Sequence, residues 1–169
     1  MTGPPQERHR EGPMAHPRIV FYDFDGVMTD NRVLLSETGQ ESVFVNRADG
    51  LAVERMAEMG IEQVIVSTET NPVVTARAKK LGIPALQSVK NKREAVEGCL
   101  GTRGMSAAEA VFVGNDTNDA EAMRFVGWPI CPADSHENIR ALSKVVLRAK
   151  GGGGVARELY DLIQAGAFG

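Results

Sequence analysis

A chain of 169 residues has room for one compact core and excludes two full catalytic domains. Apolar residues make up 43% and charged residues 24%, a globular balance that excludes a disordered or collagen-like chain. With 19 Lys and Arg against 22 Asp and Glu the net charge is -3, which argues against a duplex-binding face and leaves nucleic acid an improbable ligand.

Cys99 and Cys131 form neither a CxxC pair nor a His-flanked cluster, so no zinc site or disulfide framework is expected. No apolar run approaches the ~20 residues of a membrane span, and residues 1–16 lack the apolar stretch of a signal peptide. The expectation is a cytoplasmic protein with no membrane partner. Residues 1–16, with little to pack, read as a disordered tail ahead of one domain over 17–169.

From Arg18 onward strands and helices alternate. Ile19–Tyr22 is an apolar run that stops abruptly at Asp23-Phe24-Asp25-Gly26, the pattern of a buried parallel strand opening into a loop. Residues 33–45 place two apolar segments around Glu37–Gln40, a small β-hairpin suited to be a flap. A helix is expected from Asp49-Gly50 to Gly60, a strand over 61–66 ending at Ser67-Thr68, and a helix from Asn71-Pro72 to Gly82. Then come a brief strand at 84–87, a helix at 92–100, a strand at 110–113 broken by Gly114, and a helix at 119–126. Short strands at 130–132 and 145–147 flank a helix near 136–142, and 155–165 is a final helix after the glycine run 151–154. This alternation implies an α/β fold, a Rossmann-like doubly wound parallel sheet with helices on both faces.

In such a sheet ligands bind beyond the carboxyl ends of the strands. Those ends carry Asp23 and Asp25, then Ser67 and Thr68, then Lys92, then Asn115, Asp116 and Asp119. Crowded carboxylates repel unless a cation neutralises them, and a hard ion such as Mg²⁺ takes oxygen ligands. Two acids separated by one residue can divide the work of phosphoryl transfer. One attacks phosphorus, and the other gives a proton to the departing oxygen and later takes one from water. Ser67 and Lys92 would hold the phosphoryl oxygens.

In this order of motifs, over residues 18–150, the chain resembles the haloacid-dehalogenase-like phosphatases. DFDGVMTDN, Arg47-Ala48-Asp49-Gly50, Asn91-Lys92 and GGGGVARELYDLI resemble their capless subgroup, which cleaves phosphate from eight- and nine-carbon α-keto sugar acids. That subgroup includes octulosonate 8-phosphate phosphatases, nonulosonate 9-phosphate phosphatases and the C-terminal module of some acylneuraminate cytidylyltransferases. The resemblance implies Asp23 as nucleophile, Asp25 as acid and base, Gly26, Ser67, Thr68 and Lys92 at the phosphate, Mg²⁺ as cofactor, and a small-molecule sugar acid phosphate as substrate. It also implies a homotetramer whose C-terminal tail lies near a neighbouring site.

Thr68-Glu69 after Ser67, and Gly114-Asn115-Asp116 in place of Gly-Asp-Asp, resemble the nonulosonate branch and shift the expected substrate to nine carbons, as in sialic acid biosynthesis. An amide oxygen is a weaker ligand than a carboxylate, so the metal is assigned to Asp23, Asp25 and Asp116, with Asn115 the contender. Asp119 is expected to orient Lys92 and a metal-bound water. Glu69 is expected to meet polar substrate groups. Arg77 and Lys80 share a helix face and can meet a substrate carboxylate, or simply complement the helix dipole. Gly151–Gly154 lacks the Lys of a nucleotide loop. A receiver-type phosphoacceptor also gathers Asp, hydroxyl and Lys, but its order differs, and a non-catalytic oligomerisation module is disfavoured by the intact Asp23, Asp25 and Lys92.

Overall fold

Consecutive apolar residues in a strand point alternately to opposite faces and need cover on both. The computed structural model, which describes residues 16–168, provides it. In chain order the elements are β1 (Ile19–Tyr22), β2 (Leu34–Leu35), β3 (Glu41–Ser42), α1 (Arg47–Glu58), β4 (Glu62–Val66), α2 (Pro72–Leu81) and β5 (Ala85–Leu86). There follow α3 (Lys92–Arg103), β6 (Ala110–Val113), α4 (Ala120–Phe125), β7 (Trp128–Cys131), α5 (Glu137–Leu142), β8 (Val145–Val146) and α6 (Val155–Gln164). Six strands pair in the order β5-β4-β1-β6-β7-β8, every pair parallel, and β2 with β3 forms a separate antiparallel hairpin.

Val20 and Tyr22 face a core shared with α1, α2 and α6 through Val53, Met56, Ala78 and Leu159. Ile19 and Phe21 face a second core shared with α3, α4 and α5 through Val96, Leu100, Met123 and Ile139. The chain leaves β1 toward β4 on one side and later returns to β6 on the other. The reversal of strand order therefore falls at β1, and a crevice opens beyond its carboxyl end.

The hairpin stands in place of a cap: its two paired residues per strand join Ser36–Gln40, and an isolated bridge from Thr29 to Val45 ties down its base. Several boundaries differ from the sequence expectation, and two of the differences are instructive. The first helix begins at Arg47, because Asn46 caps it by accepting the Ala48 amide at 2.8 Å, so Asp49 lies inside its first turn. β7 begins at Trp128 and includes Pro129. The expected disordered tail, 1–16, lies outside the described residues except for His16. Among the described residues no helix is long and apolar enough to cross a membrane.

Within the chain the C-terminal tail packs on the sheet. Phe168 is buried and packs edge-on against Trp128, ring centroids 4.9 Å apart. Trp128 opens β7, so the tail is folded onto its own chain at the strand-start end of the sheet, opposite the crevice.

Candidate active site

Beyond β1, Asp23 caps an irregular turn, Phe24–Met28, in which Asp25 and Gly26 leave helical geometry and Gly26 takes φ 83°. The positive φ favours glycine, and any Cβ there would also run into the Asn115 amide. Asp23 Oδ1 accepts the Phe24 amide at 2.7 Å and pairs with Lys92 Nζ at 2.7 Å. Lys92 is the first residue of α3, where a cation opposes the helix dipole. It is held there by Asp23 and by Asp119, whose Oδ1 accepts from Nζ at 2.7 Å. Asp119 Oδ2 in turn accepts the Asn115 amide at 2.9 Å and the Asp116 amide at 3.2 Å. The orienting part expected of Asp119 toward Lys92 is thus present in the geometry.

These groups are withdrawn from water, and their charges respond. Burial raises the pKa of Asp23, the Asp119 carboxylate adds to that, and Lys92 opposes both. Burial alone would lower the Lys92 pKa, but the Asp23 and Asp119 carboxylates outweigh it and hold the ammonium charged. Asp25 is half-buried; burial, then the Glu69 carboxylate, raise its pKa against a smaller lowering by Lys92.

The two candidate donors of the fourth strand-end loop differ in their surroundings. Asp116 is exposed and its Oδ1 is engaged in capping Thr117 at 2.7 Å, whereas Asn115 is buried against the aspartates. As it stands, the Asn115 amide turns its oxygen toward Asp23 Oδ2, 3.1 Å away, and toward the Asp25 carbonyl, 2.9 Å away. Oxygen against oxygen is repulsive unless the amide turns to donate, or a proton or cation lies between. The spacing also fits a hard divalent ion: ligands at ~2.0–2.1 Å in an octahedron have adjacent oxygens about 2.9 Å apart. The donor set is one carboxylate, one backbone carbonyl and one amide; among the described residues there is no cluster of three His, Cys, Asp or Glu to offer a rival site. Of the two candidates in this loop, Asn115 is the one buried and directed at the Asp23 carboxylate, while Asp116 is exposed.

A cavity of about 140 Å³ opens on this cluster, lined by Asp23, Asp25, Ser67, Thr68, Glu69, Asn115 and Asp116 among others. Ser67 is buried and accepts the Glu69 amide at 3.1 Å, while Thr68 and Glu69 are exposed at the rim. A second cavity of about 210 Å³ adjoins it beneath the hairpin, sharing Asp25, Asn31 and Glu69 and adding Glu41, Asn71 and Val73.

Arg77 and Lys80 are not brought to this place within the chain. They line a groove between α1 and α2, and Lys80 lies near the end of α2 farthest from Ser67. Arg77 is buried, its Nη2 donating to the Asn46 carbonyl at 2.8 Å. Sequence reasoning missed Thr29 and Asn31. Thr29 Oγ1 accepts the Gly26 amide at 3.2 Å and the Asn31 amide at 3.1 Å, closing the catalytic turn. Asn31 holds φ 66°, and an Asn five residues after a Gly in a loop is the available signal.

A buried aspartate fixed by a lysine, with a second acid, a hydroxyl and an amide at the switch point of a doubly wound sheet, defines a hydrolase built for phosphate esters. Residues 52–159 match the haloacid dehalogenase-like hydrolases. The 3-deoxy-D-manno-octulosonate 8-phosphate phosphatase of Yersinia pestis is 31% identical over 88% of this chain and 80% of its own. The corresponding phosphatase of Escherichia coli K12 is 30% identical over 86% of this chain and 78% of its own. The solved structure of the Moraxella catarrhalis octulosonate 8-phosphate phosphatase, in complex with magnesium, phosphate and KDO, superposes with a TM-score of 0.86 at 28% identity. The match covers 90% of this chain and 88% of that one. The chain belongs to the haloacid dehalogenase-like hydrolases and is a phosphatase of that family.

Proposed function

We propose that the protein is a Mg²⁺-dependent phosphomonoester hydrolase that works through an aspartyl-phosphate, with a nine-carbon α-keto sugar acid 9-phosphate of sialic-acid type as substrate. The observation that carries the chemistry is the division of labour between the two aspartates. Asp23 is buried with one oxygen pinned by Phe24 and Lys92, and Asp25 lines both cavities with its carboxyl pushed toward the protonated form.

A carboxylate oxygen of Asp23 attacks phosphorus as the ester P–O bond breaks, and Asp25 gives its proton to the departing alcohol oxygen. Asp25, now ionised, takes a proton from water as that water attacks phosphorus. The bond from phosphorus to Asp23 breaks, releasing phosphate and restoring the carboxylate. Ser67 and Lys92 hold the phosphoryl oxygens, with Gly26 and Thr68 beside them. Asp23, the Asp25 carbonyl and Asn115 would hold Mg²⁺, which supplies charge neutralisation for those oxygens.

Nine carbons follow from the resemblance of Ser67-Thr68-Glu69 and Gly114-Asn115-Asp116 to the nonulosonate branch. A second reading, the eight-carbon octulosonate 8-phosphate, is favoured by the names of the relatives at 30–31% identity. Phosphate release from both substrates, compared by kcat/KM with Mg²⁺ and with chelator, tests everything at once. The nine-carbon ester should be preferred; preference for the eight-carbon ester overturns the substrate, and Mg²⁺-independent turnover overturns the cofactor.

A homotetramer is part of the proposal. Leu34, Leu35 and Phe44 of the hairpin are exposed on this chain, an apolar patch of the kind that partners cover. Substrate contacts from Arg77 and Lys80 call for a neighbouring copy, given their distance along α2 from the strand ends.

A further inference from the structure

The glycine run 151–154 is neither a phosphate cradle nor a loose linker. Gly151 and Gly152 lie against the back of the turn that carries Asp25. Gly152 takes φ 69° and donates its amide to the Val27 carbonyl at 3.0 Å. A Cβ on Gly151 would collide with the Gly26 carbonyl, and one on Gly152 would fall 2.6 Å from the Asp30 amide nitrogen. Backbone therefore packs on backbone, with no side chain to cushion a shift.

The first turn of α1 fastens this strap from behind. Asn46 uses its Oδ1 to cap its own helix and its Nδ2 to donate to the Gly152 carbonyl at 3.3 Å. Asp49, fully buried, accepts the Arg157 amide at 3.2 Å and so holds the first turn of α6, directly after the run. Asp134 adds a third fastening, its Oδ1 accepting the Gly151 amide at 2.9 Å. Within the turn Asp25 and Gly26 leave helical geometry, at φ -76°, ψ 121° and φ 83°. Its internal closure is slight, Thr29 Oγ1 accepting the Gly26 amide at 3.2 Å and the Thr29 amide reaching the Phe24 carbonyl at 3.2 Å, so the strap packed behind it adds the outer support.

We propose that Asn46 and Asp49 are positioning residues for the reaction: through the glycine strap they hold Asp25 where its carboxyl meets the leaving oxygen. The proposal rests on the reading of Asp25 as the general acid. An acid matters for a poor leaving group such as an alkoxide and hardly at all for a nitrophenolate, so misplacing it has a signature that loss of fold lacks.

The test uses Asp49→Ala, Asp49→Asn and Asn46→Asp in the full chain with Mg²⁺, on an alkyl phosphate (the sugar acid phosphate) and on p-nitrophenyl phosphate. Asn46→Asp keeps the helix cap and loses the donor to Gly152. Asp49→Asn keeps an acceptor for the α6 amide. Because breakdown of the aspartyl-phosphate is common to both substrates, the signature is read in kcat/KM, which ends at departure of the leaving group. Asp49→Ala and Asn46→Asp should lower kcat/KM on the alkyl phosphate on the order of 10- to 100-fold and leave kcat/KM on p-nitrophenyl phosphate little changed. Asp49→Asn should recover most of the loss. Equal losses on both substrates, or no loss in Asn46→Asp, overturn the proposal; should Asp49→Ala fail to fold, Asn46→Asp decides alone. Asp25→Ala separates this from the underlying reading. If that variant shows no leaving-group dependence, Asp25 is not the acid. If it does and the Asn46 and Asp49 variants do not, only the positioning role fails.

Discussion

The groups beyond β1, β4 and β6 and the hairpin that overhangs them have opposite relations to water. Ser67 is 1% exposed, Lys92 4% and Asn115 8%, while Leu34 and Phe44 are 69% and 72% exposed. Asp23, Lys92 and Asp119 at the strand ends are withdrawn and paired, while Leu34, Leu35 and Phe44 of the hairpin are left outside. On the proposed function, the groups that handle phosphate are gathered within one chain, and the hairpin overhanging the organic end of the substrate is left largely open. The largest expected effect probes the phosphate half. Asp23→Asn should remove turnover by about 10⁴-fold or more, an amide being a far poorer nucleophile, with the circular dichroism spectrum unchanged. Substantial residual phosphate release from that variant would mean that the buried carboxylate is structural.

The metal donors test the same half at finer scale. Chelation should abolish turnover and Mg²⁺ restore it. Asn115→Ala should raise the Mg²⁺ activation constant at least about 10-fold, whereas Asp116→Asn, an exposed residue occupied with its own cap, should leave it close to wild type. The opposite ranking would return the metal to Asp116.

How far this contrast is visible in the sequence depends on the kind of residue. Asp23, Asp25 and Ser67 follow apolar strand endings, Ile19–Tyr22 and residues 64–66, and Lys92 stands at a helix start, so hydrophobic period and chain punctuation suffice to place them together. Asn115 is undervalued by residue type, because ligand strength belongs to the amide itself, whereas its direction toward Asp23 depends on Asp119 fixing the loop amides. Pro129 hides the start of β7, since proline is disfavoured in strands; its carbonyl accepts the Lys144 amide at 2.8 Å, while its missing amide hydrogen is the feature legible in sequence. The glycine run can be read as flexibility or as cover, because close backbone packing leaves no side-chain pattern. Phe168 packing on Trp128 joins residues from separate elements, and no local rule brings them together.

The rim between the two regions should show intermediate effects. Glu69 lies at the mouth of both cavities, so Glu69→Ala should lower kcat/KM on a nine-carbon keto-acid phosphate, by ~10–150-fold if a charged hydrogen bond is lost. It should barely change the rate on p-nitrophenyl phosphate. Lys80→Ala should behave likewise only in the assembled protein, since within one chain Lys80 lines the α1–α2 groove. Equal losses on both substrates would place these residues in the fold or the chemistry.

The smallest effect on chemistry belongs to the hairpin. A two-stranded ribbon with two paired residues on each strand is marginal in water by itself. Val43 packs partly buried against the core and Asn71 donates to Glu41 at 2.6 Å, but Leu34, Leu35 and Phe44 are exposed, so the ribbon rests on its own chain only in part. The rest of its stability is expected to come from another copy, with leucines meeting across the contact. Leu34→Lys combined with Leu35→Lys should shift the protein toward monomer in sedimentation velocity at micromolar concentration. Turnover of p-nitrophenyl phosphate, which needs only the strand-end groups, should persist, while kcat/KM on the sugar acid phosphate should fall with the loss of the neighbour. A wild-type protein that sediments as a monomer throughout that range would sink the assembly. A monomeric variant with undiminished preference for the sugar acid would show instead that the organic half of the site is complete within one chain.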